Sequence, residues 1–151
     1  MHSVFVLCQN YPSEKDKYSM AFVHPRIKEY LKTGLDVKVI SFACNCSYIY
    51  DEVQVYTLQK GKELLRKSEK VILIAHAPNI KNHLFFILKT WKYLDRLILF
   101  FHGHEVLSTK KYYPRPYDFN KAAKREYRFL RLYDQIKLPV MRYYLKKFVA
   151  S

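Results

Sequence analysis

Glycine is scarce in this chain of 151 residues, which contains only Gly34, Gly61 and Gly103. The G-x-G-x-x-G loop of dinucleotide-binding enzymes and the P-loop of many kinases each need closely spaced glycines, because their backbone amides must approach a phosphate. The three glycines here lie far apart in the chain. The sequence therefore excludes NAD-dependent enzymes of this kind and P-loop kinases.

Other signatures of specific chemistry are missing as well. The chain has no Asp-x-Asp pair to hold a metal-bound diphosphate and no His-Glu-x-x-His zinc motif. It has three cysteines, and the spacing of Cys44 and Cys46 matches neither a disulfide framework nor the usual spacing of zinc ligands. We interpret the cysteines as reduced, structural thiols.

Long apolar stretches are also missing. No run approaches the roughly 20 residues that a membrane-spanning helix needs, and the first residues lack the charged segment of a signal peptide. We therefore expect a cytoplasmic protein. Hydrophobic residues make up 50% of the chain, which at this length is enough for one domain with one core.

Basic side chains are abundant and unevenly spread. The net charge is +14, and residues 108–151 alone carry 12 basic and 3 acidic side chains. Such a block attracts polyanions, whether nucleic acid, a phosphorylated substrate or the anionic face of a membrane. A solvated basic surface that only aids solubility is the plain alternative.

Strand and helix patterns alternate through the first hundred residues. Apolar runs typical of strands occur at 3–8, 36–42, 53–58, 70–77 and 96–102. Helical spacing predicts three helices, over 23–33 with Gly34 just past its end, around 60–68, and from Pro78 with a buried stripe of Leu84, Leu88 and Trp91. This alternation predicts a doubly wound, Rossmann-like α/β fold with a mostly parallel sheet and helices on both faces.

The pattern changes near Asp118. An amphipathic, basic helix is predicted from there, and Pro139 is expected to interrupt it before a second helical piece over 139–147. Phe148 and Val149 resemble the first half of another strand. We therefore expect residues 1–151 to form a single domain whose fold is not complete at Ser151.

Residues that follow the strands are the candidates for a site, because ligands of open parallel sheets bind outside the carboxyl ends of the strands. Three segments meet this condition, namely 9–22, 76–79 and 102–105. Two of the strands are predicted to close with a histidine, His76 or His102, which the sheet would hold rigidly at the crevice. A core histidine bonded to a backbone carbonyl is the plain alternative.

The sequence leaves two other functions open. His102 and His104 would ligate zinc if both turned the same way and a third ligand, such as His76 or Glu105, joined them. The tyrosines that alternate with lysine and arginine in the tail would stack on single-stranded nucleic acid, or lie at the headgroup level of a membrane. More plainly, half of these tyrosines would only pack the helix on the sheet.

Four segments together resemble the N-terminal domain of the retaining GT-B glycosyltransferases, the large family that includes bacterial capsule, lipopolysaccharide and phosphoinositol-mannoside transferases. They are YPSEKDKYSMAFVHPRIKEYLKTGLDVKVISF at 11–42, IAHAPN at 74–79, FFHGHEV at 100–106 and the closing KKFVAS. The third segment is similar to the family's His-Gly-x-Asp/Glu signature. The order and spacing of the four segments extend the resemblance over essentially the whole chain.

This resemblance implies transfer of a sugar from a nucleotide-diphosphate donor to a glycan or lipid-linked acceptor, with retention of configuration and without a metal or other cofactor. It assigns His102 to the reacting donor sugar. It assigns acceptor or diphosphate binding, or shaping of the cleft, to a further set of residues, which are Tyr18, Ser19, His76, Asn79, His104 and Glu105. The nucleotide site and paired glutamates of the family belong to a C-terminal domain, so residues 1–151 alone should not turn over.

The resemblance also implies partners. Basic helices of such domains face the acceptor or an anionic membrane, and the corresponding side chains here are Lys121, Lys124, Arg125, Arg128 and Arg131. We therefore expect a cytoplasmic enzyme of cell-surface polysaccharide biosynthesis, peripheral on the inner face of the membrane, with nucleic acid an unlikely partner. A non-catalytic nucleic-acid-binding module is the alternative, and a zinc hydrolase the next.

Overall fold

The computed structural model describes residues 2–112 and 121–149, with only the backbone described at 121–124. The side chains of Lys121 and Lys124 therefore lie outside the described part. The chain divides into two compact units, Met1–Phe100 and Phe101–Ser151. The expectation of a single domain over 1–151 stays a prediction.

The first unit is built on a six-stranded sheet in the order β3-β4-β2-β1-β5-β6. The strands are β1 (Ser3–Cys8), β2 (Asp36–Ser41), β3 (Tyr48–Tyr50), β4 (Val53–Tyr56), β5 (Val71–His76) and β6 (Arg96–Phe100). The helices are α1 (His24–Lys32), α2 (Leu58–Lys67) and α3 (Phe85–Thr90), and a π-helical segment, Ile80–Leu84, leads into α3. All neighbouring strands are parallel except β3 and β4.

The connections wind in both directions from β1, which confirms the predicted doubly wound α/β fold. The connection through α1 leads from β1 to β2 on one side, whereas the connection through α2 returns from β4 to β5 on the other side of β1. Because parallel crossovers are right-handed, these two helices cover opposite faces of the sheet. The predicted runs at 3–8, 36–42, 53–58, 70–77 and 96–102 all contain strands, and β3 is an additional antiparallel strand.

Alternate residues of the strands enter two different layers of core. Val4, Val6 and Val39 pack in one buried cluster with Ile27 of α1. Residues on the opposite face, among them Phe5, Leu7 and Ile40, are also fully buried. Gly61 lets α2 come close to that face, because a Cβ there would lie 2.5 Å from Cγ1 of Ile40. The continuous apolar runs of the sequence thus reflect a sheet that is covered on both sides.

Three predicted features of the first unit need correction. β6 is an edge strand with half-exposed and exposed side chains rather than a buried one, and it ends at Phe100, so His102 does not close it. The helical segment after β5 begins at Ile80, directly after Asn79, and not at Pro78 as predicted. Of the predicted buried stripe, Leu84 is buried, Trp91 is half-buried and Leu88 is exposed. Ile87 and Thr90 are buried as well, because the π-helical segment changes the helical register.

The second unit contains a short helix, α4 (Thr109–Tyr112), and a long helix, α5 (Lys121–Val149). α5 runs through Pro139, so the predicted interruption is wrong, as is the strand predicted at Phe148 and Val149. A proline inside a helix costs one hydrogen bond and roughly 3 kcal/mol. Lys137 and Met141, on either side of the proline, are both buried, so the packed face of α5 continues across it.

Candidate functional site

The carboxyl ends of β1 and β5 form the point at which the winding of the sheet reverses. Three side chains meet there, and we call them the amide cluster: Gln9, Asn79 and Asn82. The side-chain nitrogens of Asn79 and Asn82 donate to Oε1 of Gln9 at 3.2 and 2.8 Å. Two of the three predicted segments, 9–22 and 76–79, therefore come together where α/β sheets bind ligands.

Asn79 also holds the start of the segment that follows β5. Its Oδ1 accepts hydrogen bonds from the backbone N–H groups of Asn82 and His83, at 2.8 and 3.4 Å. This is the usual role of asparagine before a helix, where the first N–H groups have no partner within the helix. One side chain thus joins the helix start to the loop after β1.

The backbone is strained beside the amide cluster. Ala77 has a φ of 48°, in the left-handed region that residues with a Cβ avoid, and the following Pro78 favours an extended conformation at this position. Met20, in the loop after β1, has a φ of 49°. Strain of this kind costs roughly 1–3 kcal/mol per residue and concentrates at functional sites, which is consistent with a site at this edge of the sheet.

A cavity of about 580 Å³ lies between the loop after β1 and the loop after β2. We call it the hydroxyl cavity after its serines, which line it together with asparagines and carboxylates. Its polar lining residues are Asn10, Ser13, Glu14, Lys15, Asp16, Ser19, Ser41, Asn45 and Ser47, and its aromatic ones are Tyr11 and Tyr48. Its size and its convergent polar groups are typical of a small-ligand site.

The loop after β1 is ordered by Asp16. Oδ1 of Asp16 accepts hydrogen bonds from the backbone N–H groups of Tyr18 and Ser19, both at 3.2 Å. Backbone hydrogen bonds in both directions join Ser13 and Asp16. As a result Ser19 lines the hydroxyl cavity, whereas the side chain of Tyr18 is 91% exposed.

A buried phenol fixes the floor of this loop. The hydroxyl of Tyr11 lies 2.6 Å from Nδ1 of His24, and Nε2 of His24 lies 3.0 Å from Oδ2 of Asp51. Burial raises the pKa of Tyr11 far above its ordinary value, so its hydroxyl keeps its proton beside Nδ1. Because the carboxylate of Asp51 can only accept, Nε2 of His24 carries a proton and donates to it. The hydrogen bonds from His24 and Lys28 hold the pKa of Asp51 below its usual range.

Tyr48 supports the opposite wall of the hydroxyl cavity. Its hydroxyl lies 3.1 Å from the carbonyl oxygens of both Tyr11 and Pro12, to which it can donate. Burial raises the pKa of Tyr48 to about 12, so the hydroxyl keeps its proton and this contact at physiological pH. Tyr48 thereby joins the loop after β1 to β3, and the cavity is held on two sides.

Two histidines lie beneath the amide cluster, within the fold. His76 is fully buried and its ring stacks on Phe100, with centroids 4.9 Å apart, as in a core histidine; its predicted role in binding stays a prediction. His83 is also fully buried and contacts Phe42 edge to face. Burial lowers the pKa of His83 to about 4, although the nearby carbonyls of Leu7 and His76 favour its charged form.

The predicted signature around His102 forms a tight turn in the second unit. Oε2 of Glu105 accepts a hydrogen bond from the backbone N–H of His102 at 2.9 Å, and the carbonyl of Gly103 accepts from the N–H groups of Val106 and Leu107. Nζ of Lys137 lies 2.6 Å from the carbonyl oxygen of His104. The imidazoles of both histidines are on exposed residues. Glu105 therefore shapes this turn, while the role of His102 at a donor sugar stays a prediction.

α5 carries the predicted cations and an apolar stripe that the sequence analysis missed. Arg125, Arg128 and Arg131 are exposed. So are four apolar residues spaced three, four and seven apart along the helix, which we call the exposed stripe: Phe129, Leu132, Ile136 and Tyr143. On the opposite face, an ion pair of 2.6 Å joins the buried residues Asp134 and Lys137. α5 thus has one face with buried residues, including this ion pair and Met141, and a second, apolar face that is exposed and flanked by arginines.

Several residues of the site carry no sequence motif. Two of them were nevertheless detectable from their positions in the sequence. Asn82 stands three positions after Asn79, the spacing of a helix start, and Gln9 directly follows β1. The segment from Ser41 to Ser47 has no recognisable pattern, and its place in the hydroxyl cavity follows only from the pairing of β2 with β1.

In residues 2–112 and 121–149, no three histidine, cysteine, aspartate or glutamate side chains come together as a metal ion requires. Comparison of the chain with family models, curated proteins and solved structures finds no significant match.

The strain at Ala77 leads to a first prediction. Ala77→Gly should raise the free energy of unfolding by roughly 1 kcal/mol, because glycine adopts positive φ without a steric penalty. Urea unfolding followed by circular dichroism would measure the change. Ala43→Gly serves as the control, since Ala43 has no such φ, and this variant should be destabilised. Loss of stability in both variants would contradict the inferred strain.

The buried His83 leads to a second prediction. Its pKa in the folded chain is below the ordinary value of 6.5, so on acidification the unfolded chain takes up the proton first. Stability should therefore fall from about pH 6.5 to about pH 4, by at most roughly 1.4 kcal/mol per pH unit from this group. His83→Gln should flatten the pH dependence of urea unfolding over this range. The variant His2→Gln, at an exposed position, should leave the pH dependence unchanged. Equal slopes in the unmodified chain, His83→Gln and His2→Gln would refute the assignment of this pH dependence to His83.

Proposed function

We propose that this chain is the acceptor-binding part of a glycosyltransferase that uses a nucleotide-diphosphate sugar and acts in cell-surface polysaccharide biosynthesis. The hydroxyl cavity is the observation that carries the proposal. It lies at the carboxyl edge of a doubly wound sheet, next to the amide cluster and the strained backbone. The motifs at 11–42, 74–79 and 100–106 point to the same family of enzymes.

The lining of the hydroxyl cavity matches the chemistry of a saccharide. Each sugar hydroxyl both donates and accepts, and the cavity offers serine hydroxyls, asparagine amides and the carboxylates of Glu14 and Asp16. The ring of Tyr48, which is half-buried, supplies apolar surface for the C–H face of a sugar ring. Such a lining orients an acceptor through many moderate hydrogen bonds rather than one strong charge contact.

In this proposal the donor is held mainly by a second domain, in a longer chain or in a partner chain. Negative charge develops on the departing diphosphate, so fixed hydrogen-bond donors near it lower the barrier. His102 is the residue that we place at the reacting sugar. The hydrogen bond from its N–H to Glu105 would fix the backbone of the turn that carries it.

We also propose that α5 brings the enzyme to an anionic membrane, where a lipid-linked acceptor would be found. Cations beside exposed apolar residues are typical of helices that lie in a membrane surface, and the exposed stripe beside Arg128 and Arg131 has this character. No helix within the described ranges is both long and apolar enough to cross a membrane. The attachment proposed is peripheral.

Binding of saccharides tests the first part. The 151-residue chain should bind members of a glycan array, with the site mapped by saturation-transfer NMR. Asn45→Ala and Ser47→Ala should each weaken the best hit about fivefold, as expected for the loss of one hydrogen bond. Gln54→Ala, on the exposed side of β4, should have no effect. An array without hits, or equal losses in Gln54→Ala, would refute the proposed acceptor cavity.

Vesicle sedimentation tests the second part. The chain should bind phosphatidylglycerol vesicles at low salt and release them at high salt, since each basic residue near the surface contributes about 1 kcal/mol. Arg128→Gln with Arg131→Gln, and separately Leu132→Ser with Ile136→Ser, should each weaken binding at least fivefold. Ile49→Ser, an exposed apolar residue of β3, is the control. Unchanged binding by both double variants would exclude α5 as the membrane contact.

A further inference from the structure

A second, smaller cavity of about 250 Å³ lies between α2 and the helical segments that follow β5. Lysines and phenylalanines dominate its lining, and we call it the lysine cavity. Its lysines are Lys62 of α2 and Lys81 and Lys89 of the later segments, and its phenylalanines are Phe42, Phe85 and Phe86. It shares no lining residue with the hydroxyl cavity.

The three cations of the lysine cavity have no acidic partner within the described residues. No aspartate or glutamate lines the cavity, and none of the ion pairs in the described ranges includes Lys62, Lys81 or Lys89. Five other lysines of the first unit do form such pairs: Lys17, Lys28, Lys32, Lys38 and Lys60. Like charges around one cavity repel one another, so a bound anion would relieve an electrostatic cost.

The phenylalanines give the lysine cavity a firm apolar wall. Phe86 is 5% exposed, and Phe42 packs edge to face against both Phe86 and the buried His83, with centroids 6.3 and 4.8 Å apart. Phe85 is 59% exposed, and Nζ of Lys89 lies 5.5 Å from its ring centroid. An apolar group on the ligand would be buried against Phe42 and Phe86, while the cations stay near the solvent.

We propose that the lysine cavity binds a phosphate group carried on an apolar or aromatic body. Three lysines acting on one group favour a phosphate monoester over a carboxylate, because the monoester carries up to two charges and three strong acceptor oxygens. The cavity volume is below that of most complete ligand sites, so it holds the phosphate and the adjoining part of the ligand. The site is separate from the proposed acceptor cavity and does not depend on glycosyl transfer.

The cavity also lies at the ligand-binding edge of the sheet. Phe42 directly follows β2, and Lys81 lies in the segment that follows β5. Asn82 lines the cavity as well, and its side chain donates to Gln9 of the amide cluster. The lysine cavity is therefore attached to the rigid part of this edge rather than to a free surface loop.

An NMR titration of the 151-residue chain with phenyl phosphate tests the proposal. The expected result is saturable shifts of backbone amides at 80–90, with tighter binding than inorganic phosphate because the ring is buried against the phenylalanines. Lys62→Gln and Lys81→Gln should each weaken phenyl phosphate about fivefold, the loss of one charge-assisted hydrogen bond. Lys67→Gln, the same change at an exposed position of α2 outside the cavity, should leave the affinity unchanged.

Two results would overturn the proposal: shifts that map away from 80–90, or an equal loss of affinity in Lys67→Gln and Lys62→Gln. The unperturbed part of each spectrum reports whether a variant is folded. To identify the source of the phosphate, binding of soluble dihexanoyl phosphatidic acid is compared with binding of phosphatidic acid vesicles. Both measurements use the Leu132→Ser, Ile136→Ser double variant, which suppresses membrane contact through α5. Vesicle binding that requires Lys62 and Lys81 indicates a lipid headgroup, whereas binding of the soluble form alone indicates a free phosphorylated compound.

Discussion

Parallel pairing of β1 with both β2 and β5 is the constraint on which the first unit depends. β1 is central, so its backbone groups are paired on both sides and its side chains are buried on both faces. Because the chain winds away from β1 in two directions, the loops after β1 and β5 separate at this point instead of crossing over the sheet. The amide cluster occupies the resulting crevice, and the hydroxyl cavity and the lysine cavity each lie against a neighbouring loop.

Rigidity at this edge comes from polar contacts that the core does not supply. Asn79 caps one helix start and contacts Gln9, Asp16 orders the loop after β1, and Tyr48 joins that loop to β3. These hydrogen bonds hold polar side chains in fixed positions at an edge of the sheet where water competes for the same donors and acceptors. The left-handed conformation of Ala77 occurs in the same place, where its backbone N–H donates to the carbonyl of Phe100 at 2.9 Å.

Charge in this protein is organised by surface rather than only by sequence position. The block of cations in the tail is prominent in the sequence, yet three lysines separated along the first unit, Lys62, Lys81 and Lys89, gather around one cavity without an acidic partner among the described residues. In the second unit the arginines of α5 flank the exposed stripe, while the cation of Lys137 is turned inward to Asp134 and to the carbonyl of His104. Composition alone does not distinguish these three roles.

The sequence by itself determined the α/β fold, because apolar runs and helical spacing are local signals of burial on both faces of a sheet. It also indicated two of the loops that meet at the carboxyl edge, and the glycine that ends α1, which has a φ of 79°. Tertiary structure decided the rest. A π-helical segment altered which side chains of α3 are buried, and α5 continues through Pro139 with buried residues on both sides of it. β6 ends at Phe100 because its neighbour β5 ends opposite it at His76, which leaves His102 beyond the strand. Both cavities combine residues from loops and helices that are distant in sequence, and strand order, a property of long-range pairing, is what brings them together.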